Sequence, residues 1–173
     1  MTDRIVFVCT DNTTLSPMAE AIYKNLSEDS PIEAESRGRI VLFSEPVNPK
    51  AVTVMGNHNL AFDHPMSLQL KARDITETTL VLTMSEALKK QVADMFPDIR
   101  YLYSLKEYSG ENGDVTDPYG GTLVDYEECY NELVRLIKKT IYRLDEERHS
   151  ENKVIGVINS LIKENTYENS NRQ

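Results

Sequence analysis

The chain predicts an α/β fold: a four-stranded parallel sheet flanked by helices on both faces, with a helical tail at the C-terminus. Three observations carry this reading. Short apolar runs alternate with segments of helical period along most of the 173 residues, the arrangement that builds a parallel sheet covered by helices. The clearest runs, "RIVFV" and "TLVLT", are nearly continuous in apolar character, as in strands buried on both faces. After Leu144 the composition turns charged and polar, so the core-forming part ends there.

Each element has a local reason. Arg4 to Val8 reads as a first, buried strand. A helix is expected from Ser16–Pro17, since serine caps and proline fits a first helical position; Met18, Ala21, Ile22 and Leu26 form its apolar stripe. Ile32 to Ser36 reads as a second strand ended by "SRG", and Pro49 to Met55 as a helix entered through "NP". Thr79 to Thr83 is the third strand, followed by a helix over Ser85 to Met95 that stops before Pro97. Ile99 to Tyr103 is the fourth strand. Beyond the polar stretch "SGENGDVTDPYGG", Tyr126, Tyr130, Leu133, Ile137, Ile141 and Leu144 keep helical spacing and predict a long helix from Leu123 to Leu144. Within the tail, Val154, Ile155, Ile158, Leu161 and Ile162 share one face of a further short helix, expected to pack on the domain surface.

Composition narrows the function. The formal charge of −9 argues against general nucleic-acid binding, because phosphate backbones would be repelled. No apolar run reaches the roughly 18 residues of a membrane span, so a soluble, cytoplasmic protein is the expectation. The two cysteines, Cys9 and Cys129, stand in different contexts and predict no disulfide framework. His58, His64 and His149 make no ligand pattern, and no metal or other cofactor is expected.

In an open parallel sheet, ligands bind beyond the carboxyl ends of the strands. Cys9 stands there, between the first strand and a helix N-terminus whose amides and dipole favour a thiolate and can cradle a phosphoryl group. A lone strand-end cysteine is more often a small buried hydrophobe. "DPYGG" from Asp117 to Gly121 adds a loop aspartate, the residue type that protonates a leaving oxygen in cysteine-based ester hydrolysis; alone it reads as an ordinary turn.

Taken together and in order, "VFVCTDNTTLSPMAEAIY", "ESRG", "EPVNPKAV", "LVLTM" and "TDPYGGTLVDYEECYNEL" resemble the low-molecular-weight protein tyrosine phosphatase family over roughly residues 4 to 145. The resemblance implies a phosphatase-like domain over residues 1–148; composition and spacing leave 149–173 as a polar extension with a short amphipathic helix. The resemblance further implies a catalytic pair of Cys9 as nucleophile and Asp117 as general acid, and a substrate loop of Thr10, Asp11, Asn12, Thr13, Thr14, Leu15 and Ser16. By the same resemblance Asn12 braces that loop, Ser16 supports the thiolate and Tyr119 forms an aromatic wall. The implied partner is a phosphorylated protein or a small phosphate ester. Thr13 and "DPYGG" are similar to the bacterial branch of protein arginine phosphatases and point mildly to phosphoarginine.

Three loop positions depart from the family pattern. Leu15 stands where the arginine belongs, Asp11 where glycine is usual, and Thr14 where a second cysteine often sits. Leucine supplies neither a donor nor a charge to the phosphoryl oxygens. Arg37, Arg39 and Arg73 are expected to be surface or packing residues rather than replacements. Two readings follow: a phosphatase with weak or absent activity, or a catalytically silent relative that binds an anion or a protein.

Overall fold

The computed structural model describes residues 1–170, with side chains described through residue 163; residues 171–173, the end of the expected extension, lie outside the described residues. The four strands are β1 (Arg4–Cys9), β2 (Glu33–Gly38), β3 (Thr79–Thr83) and β4 (Tyr101–Ser104), all parallel in the order β2-β1-β3-β4. Helices α1 (Leu15–Leu26), α2 (Pro49–Asn57), α3 (Glu86–Met95), a one-turn α4 (Leu105–Tyr108) and α5 (Leu123–Ser170) alternate with them. Two compact units divide the chain, Thr2–Ile141 and the part from Tyr142 onward together with Met1.

Strand β1 is central, and its side chains alternate between two apolar layers. Phe7 meets Tyr23 of α1 with ring centroids 6.0 Å apart. Val6 and Val8 join Val81 and the α3 residues Leu88 and Val92 in a buried cluster. Helices therefore cover both faces, as the apolar runs require.

The helix starts depend on their caps. Asn48 caps α2 through a bond from the Lys50 amide at 2.9 Å, and Ser85 caps α3 through a bond from the Leu88 amide at 3.2 Å. Expectation fails at α1, where the N-cap is Thr14 and Ser16 is the second helical residue. The hydroxyl of Ser16 is used across the chain instead of locally. Pro17 sits at the third position, still within the first turn, where its missing N–H would have had no partner.

"SRG" also lies inside β2 rather than ending it, because Arg37 and Gly38 continue the ladder beside Val8 and Cys9. A Cβ on Gly38 would come within 2.8 Å of the Asp11 carbonyl carbon and 3.1 Å of the Asn12 amide. Glycine is needed here because the loop after β1 lies directly against the strand. Similarly, α5 does not stop at Leu144: the segment "DEERHSENK" contains no glycine or proline, and the Arg143–Glu147 pair at 2.8 Å supports the helix one turn apart. The short tail helix is thus part of α5, and its apolar residues are exposed.

Candidate active site

The loop from Cys9 to Thr14 leaves the C-terminal end of β1 and closes on the N-terminus of α1. Its shape is fixed by Asn12, which is fully buried and adopts the left-handed region at φ 61°. Asparagine tolerates that region better than most residues, and here its amide is saturated. Nδ2 donates to Ser16 Oγ at 2.9 Å and to Ser36 Oγ at 3.0 Å, and Oδ1 accepts from the Leu68 amide at 2.9 Å.

The Cys9 sulfur lies 2.9 Å from Ser16 Oγ and accepts from the Asn12 amide at 3.2 Å. Burial pushes the thiol above its ordinary value; Ser16 and the Asn12 amide pull it back, and the Asp11 carboxylate pushes it up further. Burial wins, so the thiol form is favoured.

Behind the loop, a chain of hydrogen bonds runs from Ser36 Oγ to Glu20 Oε2 at 2.6 Å. Glu20 also accepts from Lys24 Nζ at 2.6 Å and from His64 Nε2 at 3.1 Å. Burial opposes charge on Glu20, but the bonds from His64, Lys24 and Ser36 outweigh it and hold the carboxyl below its usual range. His64 Nδ1 faces the Met66 carbonyl at 2.9 Å, so both ring nitrogens face acceptors and the imidazolium is the form that satisfies both. The Glu20 bond raises the His64 pKa against the opposing effect of burial.

A group whose folded pKa is raised contributes stability that is full below its unfolded value, near 6.5, and lost as pH rises through the folded value. The melting temperature should therefore fall as pH rises through neutrality, in part because His64 loses its proton. His64→Asn should cost roughly 1–3 kcal/mol below pH 6 and flatten this slope. A slope identical in the two proteins would show that His64 carries none of it.

A cavity of about 250 Å³ opens above the loop. Cys9, Thr10, Asp11, Thr13, Thr14 and Leu15 form one side; Asp117 and Tyr119 form the other. Asn12 and Ser16 sit behind the loop and hold it. Leu15 is only 6% exposed, so its apolar side chain occupies the wall where a cation was in question. Asp11 accepts at Oδ1 from the Thr13 amide at 3.1 Å and from Thr13 Oγ1 at 2.9 Å. Its carboxylate thus engages one of the loop's own amide donors.

Several anchors position Asp117. The Val115 amide donates to the Met84 carbonyl at 3.0 Å, the Glu86 amide donates to Asp114 Oδ1 at 2.8 Å, and the Thr116 amide donates to Glu132 Oε2 at 3.1 Å. Asp117 Oδ1 accepts from the Tyr119 amide at 3.0 Å. The turn closes through the Gly121 amide on the Pro118 carbonyl at 2.8 Å, with Gly120 at φ +75°, a position that calls for glycine. Lys50 of α2 bonds the Gly121 carbonyl and secures the far end.

Arg37 is not turned to the cavity. Its guanidinium pairs with Glu35 at 2.8 Å and Asp74 at 3.1 Å. Met84, Ser85, Leu88, Asp114 and Val115 also line the cavity and were not singled out from sequence. The Glu20–His64 pair was missed too, although a glutamate on the buried face of α1 was a signal for a partner. Among the described residues, no cluster of histidine, cysteine and carboxylate side chains is arranged to hold a metal. No helix among the described residues is long and apolar enough to cross a membrane.

Comparison with known proteins gives one consistent result. The family model described as low molecular weight phosphotyrosine protein phosphatase matches residues 4–150. The chain is 38% identical over 136 residues to the low molecular weight protein-tyrosine-phosphatase PtpB of Staphylococcus haemolyticus, covering 79% of this chain and 96% of that one. It is 35% identical over 149 residues to the protein-arginine-phosphatase of Bacillus subtilis, covering 83% and 98%. Among solved structures, the YwlE arginine phosphatase of Geobacillus stearothermophilus superposes with a TM-score of 0.77 at 33% identity, over 85% of this chain and 96% of that one.

Proposed function

The chain belongs to the low molecular weight phosphotyrosine protein phosphatase family, and from that membership we propose a protein phosphatase of the phosphotyrosine or phosphoarginine class whose own turnover is weak or absent. In the forward reaction the Cys9 thiolate attacks phosphorus and the bond to the leaving oxygen or nitrogen breaks. Asp117 gives its proton to that leaving atom. The resulting carboxylate then takes a proton from water, whose oxygen displaces Cys9 from the phosphocysteine and releases inorganic phosphate. The domain carrying this chemistry spans residues 1–148, with 149–173 as an extension. Its partner is a phosphorylated protein, and its setting is the bacterial cytoplasm. The 35% identity to a protein-arginine-phosphatase, together with Thr13, supports phosphoarginine.

The observation that carries the impairment is Leu15, buried in the cavity wall with no lysine, arginine or histidine among the described lining residues. Charge on the three equatorial oxygens of the transition state then has no cation to meet it. The second reading, a silent binding module, is favoured by the Asp11 carboxylate on the Thr13 amide. Hydrolysis of an aryl phosphate by the wild type, with Cys9→Ser as blank, tests both. A rate about 10²-fold or more below that of an arginine-bearing relative is expected. A rate within about tenfold of that relative would remove the impairment, and a rate equal to the blank would select the silent module.

A further inference from the structure

We propose that the C-terminal part of α5 pairs with the same segment of a second copy, so that the chain is a dimer held by its tail helices. The pairing is independent of the chemistry at Cys9 and holds for a silent relative as for a working phosphatase. It belongs to this chain's own extension. The family model ends at residue 150, and 79% and 83% of this chain account for 96% and 98% of the two relatives above. The apolar face begins at Val154, beyond the family match, so the fold of the domain does not require it.

The segment is helical although its own residues favour helix weakly. Of the nine residues 154–162, five are β-branched, one is glycine and one is asparagine, all low in helix propensity. A helix of that composition is held by burial of an apolar face, not by propensity. Yet Val154, Ile155, Val157, Ile158, Leu161 and Ile162 are each between 49% and 58% exposed. Six residues in that state leave on the order of 500 Å² of aliphatic surface per copy, as much as the largest patch on an ordinary monomer. Two copies bury about 1,000 Å² from these residues alone, and the flanking turns bring the pair into the range of a specific interface.

Spacing and charge select a second copy as the occupant. Val154, Ile158 and Leu161 are four and three residues apart, the step of a coiled-coil seam. Ile158 is β-branched at one core position and Leu161 follows at the next, a choice that favours two strands. Ile155 and Ile162 flank the seam on successive turns and widen it. Residues 154–162 carry no charge, in a chain where 27% of residues do. Two identical faces therefore meet without the like-charge opposition that self-pairing otherwise brings. From Tyr142 onward six acidic residues stand against five basic ones. The segment thus lacks the lysine- and arginine-rich polar face that draws a helix to an anionic bilayer.

The test is sedimentation velocity of the full chain between about 1 and 100 µM, since a dimer's population follows protomer concentration. The wild type should reach twice the mass of one chain within this range. Ile158→Ala with Leu161→Ala should raise the dissociation constant about tenfold or more. Alanine raises helix propensity, so weaker pairing in that variant is loss of contact and not loss of helix. Leu42→Ser with Phe43→Ser, at two of the most exposed apolar residues of the other unit, should leave the constant unchanged. A nitroxide on Ser160→Cys, with Cys9 and Cys129 buried, should lie within about 30 Å of its copy in the dimer, since packed helices run 8–10 Å apart. A chain that stays monomeric throughout would overturn the proposal, and its binding to vesicles of phosphatidylcholine and phosphatidylglycerol would then give the face to a bilayer. A dimer that the two alanines leave intact, that the two serines break, or whose labels lie farther apart would overturn it equally, because another surface would then be the interface.

Discussion

Leu15→Arg should raise kcat/KM for an aryl phosphate by about 10²-fold, and Leu15→Arg with Asp11→Gly by about 10³-fold. The first figure follows from the loss in rate when one preorganised donor is removed from a transition-state site, on the order of 10²–10³; a bidentate cation is worth at least one such donor. The single variant should fall short of the full gain for a reason visible in the site. A guanidinium placed at Leu15 enters a cavity lined by Asp11, Asp114 and Asp117, and a carboxylate partner competes with the substrate for its donors. At about 4 Å, and with a typical effective dielectric constant, one such pair is worth about 4 kcal/mol before solvent and entropy reduce it. Asp11→Gly removes the nearest competitor on the loop itself and frees the Thr13 amide that Asp11 now engages. Glycine also admits backbone angles that aspartate resists. In the doubly restored protein, Cys9→Ser should return the rate to the blank. If the double variant melts like the wild type yet hydrolyses no faster, the two loop positions do not limit activity and the cause lies elsewhere in the site.

What the sequence disclosed and what it withheld follow the range of the interactions involved. The strand, the loop and the helix after Cys9 were legible because their signals are local: an apolar run, a polar break, then a stripe at Met18, Ala21 and Ile22. Tyr126, Leu133 and Ile137 were likewise legible as one buried face, since all three are buried along α5. Ser16 was misread as a cap because capping is a local rule, whereas its hydroxyl is taken by Cys9 at 2.9 Å and the Arg37 carbonyl at 3.2 Å. The Glu20–His64 bond joins residues 44 positions apart, and no local period reports such a pairing. Asp114 escaped notice for a related reason: its place on the cavity is set by α3, whose first amide it accepts. The extent of α5 was underestimated because a change to charged residues was read as an end, although charged residues spaced one turn apart support a helix.

Cys9 should alkylate slowly near neutral pH, with a rate that rises about tenfold per pH unit to beyond the ordinary thiol range near 8.5. The thiolate is the reacting form, so the rate follows its fraction. Three influences pull the pKa down, the Ser16 hydroxyl, the Ser16 amide and the Asn12 amide, and the N-terminus of α1 adds a partial positive charge. Two push it up, burial and the Asp11 carboxylate, with burial the largest of all. A helix terminus carries about half an elementary charge, whereas Asp11 carries a full one, and the thiol itself is only 5% exposed. The upward influences should therefore prevail. Asp11→Asn should move the midpoint down modestly, and Leu15→Arg should move it further, since a cation beside the sulfur favours the charged form. The order of the two shifts separates a missing cation from an added anion as the main reason for a quiet thiol. A wild-type midpoint well below neutrality would mean that the loop amides activate Cys9 unaided, and the phosphatase reading would then stand without the arginine.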